Sequence, residues 1–180
     1  MTFDFITTNR YDLLKLTPEV YQYVFTTYNQ EELKAFFGVT SKAEFLKEKS
    51  KFEKGMTTYN RSFVNFLIID KSTKETIGSC GFHTWYLEHS RAEIGYALNS
   101  DVYKGKGVMS EVLKAVVHYG FTQMQLHRIE AFISPENIAS LKLVQKLNFI
   151  KEGHLREHYF KNNVMEDSLV FSLLKHEYKP

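Results

Sequence analysis

The apolar patterning of the chain predicts an α/β (α+β) domain whose central mixed, mostly antiparallel sheet of about six to seven strands is flanked by helices. Three observations carry this. Ser62–Asp70 and residues 76–85 are dense in strand formers, and the polar loop Lys71-Ser72-Thr73-Lys74-Glu75 joins them as in a hairpin. The clearest helical period, Met109, Val112, Leu113, Val116, Val117 and Phe121, follows directly on a strand and a Gly-Lys-Gly turn. Finally, two strands close the chain around Lys161-Asn162-Asn163.

Each element has a local reason. Tyr11–Leu16 alternates weakly and is stopped by Thr17-Pro18, a cap residue followed by proline at the first helical position. A helix is expected over residues 19 to about 27. A charged helical stretch follows from residue 31 to roughly Lys54, broken near Gly38 and closed by Gly55 in the place of a C-cap glycine. Arg91–Leu98 reads as a strand, Arg128–Ile133 as another, and residues 137–147 as a helix.

At 180 residues the chain fits one domain, 1–180, with its core at about 12–175. The hydrophobic fraction of 43% and the charged fraction of 24% are those of a soluble globular protein. A net charge of +2, with lysines interspersed among glutamates as in Lys47-Glu48-Lys49, argues against a nucleic-acid partner. No basic segment leads into an apolar run at the N-terminus, and no stretch approaches a membrane span. A single cysteine, Cys80, excludes an intrachain disulfide and fits a reducing compartment. The expectation is therefore a cytoplasmic protein without a membrane partner, as a monomer or homodimer.

A strand, then Gly105-Lys106-Gly107, then an amphipathic helix is suited to holding phosphate. Glycines let the backbone turn tightly and bring its N–H groups to an anion, and the helix N-terminus favours negative charge. Lys106 either adds a charge there or points to solvent. Ser110 stands where a dinucleotide-binding run needs its third glycine, and the Gly-Lys-Ser/Thr ending of a triphosphatase loop is missing. The histidines show no metal-ligand spacing. His154 and His158 are four residues apart, but on a strand rather than a helix. No metal is expected.

Several stretches together resemble the GNAT superfamily of N-acetyltransferases, and within it the RimJ/RimL-like branch. They are Arg91-Ala92-Glu93-Ile94-Gly95-Tyr96-Ala97-Leu98, Tyr103-Lys104-Gly105-Lys106-Gly107-Val108-Met109-Ser110-Glu111, Asn137-Ile138-Ala139-Ser140, and Lys146 through Gly153. The chain departs from the family pattern twice. Val102 occupies the position usually held by Gln or Arg, at the cost of a side-chain contact. Asn148 replaces the glycine before Phe149, and asparagine tolerates the left-handed backbone required there.

The resemblance implies an acetyltransferase that uses acetyl-CoA as cosubstrate and acetylates a primary amine by direct attack. Protein N-termini, amino acids, polyamines and antibiotics are the acceptors of such enzymes. Gly105, Lys106, Gly107, Val108 and Met109 would present amides to the pyrophosphate. Tyr96, Ala97 and Leu98 would offer backbone to the pantetheine arm, and a backbone N–H near Ala97 or Leu98 would stabilise the oxyanion. Asn137 would contact pantetheine and Ser140 would sit near the thiol, unless both merely cap a helix.

An amine must lose a proton before it attacks. Glu93 is one candidate base; its alternative is a salt bridge to Arg91 or Arg128. His83 is the other, against a purely structural histidine. His83, Trp85 and Tyr159 are the candidate acceptor-side residues, and the charged segment from Glu44 onward is expected to border the acceptor cleft. A non-catalytic acyl-CoA sensor would keep the turn, Asn137 and Ser140 but would need no base.

Overall fold

The computed structural model of the protein describes residues 1–53, 55, 62–161 and 163–179. Among the described residues, eight strands and five α-helices follow one another in chain order. They are β1 (Phe5–Thr7), β2 (Tyr11–Leu16), α1 (Pro18–Thr27), α2 (Gln30–Phe37) and α3 (Lys42–Glu53), then β3 (Ser62–Asp70), β4 (Thr76–Tyr86) and β5 (Arg91–Leu98). After these come α4 (Val108–Thr122), β6 (Arg128–Ile133), α5 (Ile138–Lys146), β7 (Ile150–Lys161) and β8 (Val164–Leu174).

The helix boundaries follow from their caps. Thr17 accepts a hydrogen bond from the Val20 N–H, and Pro18 opens α1. The charged helical stretch expected from residue 31 is broken at Gly38 as anticipated: Asn29 and Glu32 form a capping box on α2, and Gly38, left-handed at φ +64°, ends it before α3 begins. Gly55, also left-handed, donates its N–H to the Phe52 carbonyl at 3.2 Å beyond α3. The expected end of that helix at Lys54 lies outside the described residues, as does Asn162 in the last turn. Asn148 has φ +62°, so asparagine takes over the glycine's conformation where α5 hands the chain to β7.

All eight strands join one sheet in the order β1-β2-β3-β4-β5-β6-β8-β7. β1 is the strand beyond the expected six or seven. Three residues carry too little alternation to stand out in a sequence, and pairing with β2, Phe5 opposite Leu14, is what extends them. Every pairing is antiparallel except β5 with β6. Two buried clusters sandwich the sheet. One joins Phe82, Ala92 and Ile94 to Val112, Leu113 and Val116 of α4. The other joins Leu14, Leu16 and Leu67 to Val20, Val24, Leu33 and Phe37 of α1 and α2.

The parallel pair positions the site. Arg91, Ala92 and Glu93 sit opposite Arg128, Ile129 and Glu130, and the ladder stops there. β5 runs on to Leu98 and β6 to Ile133 without a further pair between them, so the two strands part like the arms of a V. The inner edges of both arms carry backbone groups that need partners.

Candidate active site

At the open end of the V, β5 leads through a 3₁₀ turn, Asp101–Tyr103, into the glycine turn and α4. Gly105 and Gly107 have φ +72° and +73°, a region that costs other residues about 1–2 kcal/mol each. A Cβ at Gly105 would meet nothing within 4 Å, so the backbone there faces open space. The first backbone bond of α4 runs from the Glu111 N–H to the Gly107 carbonyl, at 3.2 Å. The N–H groups of residues 107–110 are thus the unpaired donors of a helix N-terminus. Val108 is buried and Met109 packs on the core, so only their backbone can meet a ligand; Lys106 is exposed.

The turn is braced from the β1–β2 loop, a feature the sequence reading missed. Glu111, in the first turn of α4, accepts from the Thr8 hydroxyl and the Arg10 N–H at 2.8 Å each, and from Arg10 Nε at 2.7 Å. Arg10 Nη1 donates to the Lys106 carbonyl at 3.1 Å. Partial burial works against the Glu111 charge, but these hydrogen bonds outweigh it and hold its pKa below the usual carboxylate range. The available clue was an acidic residue four positions after Gly107; its partners, some hundred residues away, left no local trace.

At the closed end of the V stands Glu93, buried although charged. His83, its cross-strand neighbour on β4, places Nε2 3.0 Å from Glu93 Oε1. The Tyr159 hydroxyl on β7 donates to the same oxygen at 3.2 Å. Partial burial and the adjacent carboxylate push the Tyr159 phenol up to about 12. His83 lies over Gly95, where an added Cβ would come within 2.5 Å of its Cε1; only glycine leaves room for the ring in that pose. Three candidates far apart in sequence thus share one carboxylate oxygen.

The alternative reading of Glu93, a salt bridge to Arg91 or Arg128, is not formed. Arg91 binds Glu130 at 2.6 Å, and Arg128 binds Glu130 at 2.8 Å together with both oxygens of Glu152. Register explains this. In the parallel ladder Arg91 faces Arg128, and Glu130, one step along the same face, bridges the two guanidiniums. The arginines are neutralised beside Glu93, which keeps its own oxygen for His83 and Tyr159.

On the α4–α5 face, Asn137 caps α5 by accepting the Ser140 N–H at 3.1 Å, so its carbonyl oxygen is committed and its NH₂ group remains to donate. Ser140 stands beside Tyr96 of β5. The Tyr96 hydroxyl oxygen is enclosed and has no hydrogen-bond partner among the described residues. Such an orphan costs about 1–3 kcal/mol. Burial pushes the Tyr96 phenol up, and the Ser140 hydroxyl, near it but outside hydrogen-bond geometry, opposes that shift.

Two cavities meet along β5, sharing His83, Gly95 and Tyr96 in their walls. The smaller, about 380 Å³, fills the V and is lined by Glu93, Asn137, Ser140 and Tyr159 as well. The larger, about 640 Å³, lies toward α1 and α3 between Tyr21, Lys51, Phe63, Asn65 and Ala97. The charged helix α3 borders it through Lys51. Trp85 is set apart from both, half-buried against the core, and Leu98 also packs there. Among the described residues no group of three or more His, Cys, Asp or Glu side chains could hold a metal. Cys80 is buried, and burial pushes its thiol far up, away from the reactive thiolate.

A sheet parted beside a glycine turn, with a buried carboxylate at the apex, is the arrangement that the resemblance to N-acetyltransferases implies. A profile of the acetyltransferase (GNAT) domain matches residues 8–150, and the chain belongs to this family of N-acetyltransferases. YoaA of Bacillus subtilis (strain 168), an uncharacterized N-acetyltransferase, is 32% identical over 174 residues, 96% of this chain and 98% of YoaA. Another, p20 of Bacillus licheniformis, is 48% identical over 113 residues, which span 63% of either chain. The spermidine N(1)-acetyltransferase of Escherichia coli (strain K12) is 29% identical over 90 residues, 50% of this chain and 48% of that enzyme. Among solved structures, a GNAT-family acetyltransferase from Bacillus anthracis superposes with a TM-score of 0.67 at 27% identity, covering 97% of this chain and 100% of that one.

Proposed function

We propose that the protein transfers the acetyl group of acetyl-CoA to a primary amine by direct attack, with donor and acceptor meeting at Glu93. The observation that carries this reading is the parting of β5 from β6 immediately after Glu93, between a cavity that reaches Ser140 and one that reaches α1 and α3.

The residues present fit the donor. Helix N-terminal amides and two left-handed glycines suit a pyrophosphate. The unpaired edge of residues 96–98 suits an amide-rich arm, which pairs with it as a further strand would. The Asn137 side chain has donors left for the same arm. Acetyl-CoA supplies an activated acyl group; the chain supplies proton handling and charge stabilisation. Glu93, directly or through a water, takes the proton of the acceptor's ammonium, and His83 and Tyr159 hold the carboxylate in place. A backbone N–H near Ala97 or Leu98 faces the developing oxyanion. The Ser140 hydroxyl stands toward the departing thiolate.

The acceptor enters through the larger cavity, whose volume lies in the small-ligand range of about 300–1,000 Å³. A polyamine, an amino acid or the first residues of a protein N-terminus all fit that volume. The spermidine enzyme among the relatives keeps a small amine on equal footing with the protein N-terminus suggested by the RimJ/RimL-like motifs.

Calorimetry of acetyl-CoA against the wild type and a Gly105→Glu, Gly107→Glu variant tests the donor half. Binding by the wild type and its loss in a folded variant are expected; equal binding by both removes the glycine turn from the site. Thiol release with spermidine, free amino acids and short peptides tests the acceptor half. Binding without release from any amine favours an acyl-CoA sensor.

A further inference from the structure

The Tyr96 side chain leaves β5 on the face opposite the Glu93–His83 pair. Its neighbours Gly95 and Ala97 belong to the face that carries His83 and Glu93, whereas Tyr96 pairs with Cys80 and packs into the α4–α5 core. Its hydroxyl therefore emerges on the opposite side of β5 from the carboxylate. There it is enclosed, unpartnered among the described residues, and next to Ser140 on the wall of the smaller cavity. The stability of the fold gives no reason to bury a phenol at that point without a partner, since phenylalanine would fill the same space without an orphaned oxygen.

We propose that Tyr96 and Ser140 form a two-hydroxyl relay to the leaving thiolate, with Tyr96 the positioning residue behind Ser140. The inference rests on the donor reading above. As the C–S bond breaks, its electron pair goes to sulfur. The Ser140 Oγ–H bond breaks and its proton joins sulfur, while the Tyr96 hydroxyl proton passes to Ser140 Oγ. Serine ends as it began. The phenolate recovers a proton from solvent, which receives the one that Glu93 removed from the acceptor, so the cycle closes with one amide and one thiol formed.

The relay answers a chemical difficulty of serine acting alone. An isolated serine hydroxyl is a poor acid, whereas a phenol titrates near 10 and is far better matched to a thiol near 8.5. Burial keeps the phenol protonated at neutral pH, so Tyr96 waits as a donor. The geometry also separates the two proton tasks. Glu93 removes a proton on one face of β5, and the hydroxyl pair gives one on the other.

The test compares Tyr96→Phe, Ser140→Ala and the double variant in thiol release, using spermidine and an alanine-first peptide as acceptors. Each single variant is expected to lose about tenfold in kcat, part of the ~100-fold or more that a direct proton donor contributes. KM for acetyl-CoA should stay within about twofold, and the double variant should be no slower than Ser140→Ala, because both act through one proton path. Wild-type kcat in Tyr96→Phe, or losses that multiply in the double variant, overturns the relay.

A second readout needs no acceptor. Difference absorbance of bound coenzyme A against pH should show its thiol titrating higher in Tyr96→Phe than in wild type, and an unchanged titration overturns the proposal even if neither amine is a substrate. Should coenzyme A fail to bind the wild type, the donor reading falls and takes the relay with it. Should the wild type bind and turn over while Tyr96→Phe matches it, only the relay falls.

Discussion

On the donor side of the V the binding groups are backbone: helix N-terminal amides, two left-handed glycines and the unpaired edge of residues 96–98. On the acceptor side they are side chains brought from β4, β5 and β7, with His83 and Tyr159 converging on one oxygen of Glu93. The first arrangement tolerates changes of side chain as long as the backbone can adopt its path. The second fails if one ring is displaced. Binding of the donor and chemistry on the acceptor should therefore respond to different substitutions, and each prediction below separates them.

The largest expected effect falls on the acceptor side. Glu93→Gln keeps the shape and both hydrogen-bond partners but removes the base, so kcat should fall about 10²- to 10⁴-fold. Donor affinity by calorimetry should barely move, because Glu93 lies at the closed end of the V. Comparable losses in donor affinity and kcat would erase the distinction between the two sides.

Gly95→Ala is a finer probe of the same cluster. The new Cβ would sit 2.5 Å from His83 Cε1. His83 is 52% exposed, so its ring can swing out to solvent at little cost to the fold. The melting temperature should stay within about 2 °C, while kcat falls by about tenfold if His83 assists Glu93. His83→Asn should reproduce the loss. A kcat unchanged in both variants would leave Glu93 and Tyr159 as the working pair.

The same contrast explains what could be read in the sequence. A glycine turn before an amphipathic helix is local, and so are the cap Thr17 and the break at Gly38, because backbone conformation is set within a few residues. Asn148 shows the rule holding through a substitution, since its left-handed φ follows from the chain path. The convergence of residues 83, 93 and 159 depends on sheet order, in which β8 lies between β6 and β7. Sequence spacing could nominate these three but not join them. The alternative pairing of Glu93 with Arg91 or Arg128 does not form for that reason, and Trp85, nominated for the acceptor side, stands apart from the walls of both cavities. The brace of Thr8 and Arg10 on Glu111 was invisible, because nothing local links a β-hairpin loop to a helix start a hundred residues later.

That brace yields the next prediction. Glu111→Ala leaves the Arg10 and Thr8 donors without their acceptor and frees the glycine turn. Arg10 is half exposed, so solvent replaces much of what it loses and the cost in stability is small. The melting temperature should drop by a few degrees and acetyl-CoA should bind several-fold more weakly, while kcat at saturating donor holds. If donor affinity is unchanged, the turn is rigid by its glycines alone.

The smallest effect concerns the ion network that keeps arginines away from Glu93. Hydrogen bonds from Arg128 and Ser172 lower the Glu152 pKa to about 2, from an ordinary value of 4.5. A carboxylate depressed on folding stabilises the protein above its unfolded pKa, and that contribution fades as pH falls from about 4.5 toward 2. Glu152 is more than one-third exposed, so solvent screens much of the gain. Between pH 6 and pH 3 the wild type should therefore lose slightly more thermal stability than Glu152→Gln, and added salt should narrow the gap. The variant also reports on chemistry. If Arg128, released from Glu152, turned toward Glu93, it would hold the base ionised and less able to accept a proton, and kcat would fall at neutral pH with stability nearly intact. If Glu130 alone keeps Arg128 in place, only the acid limb of the stability curve changes.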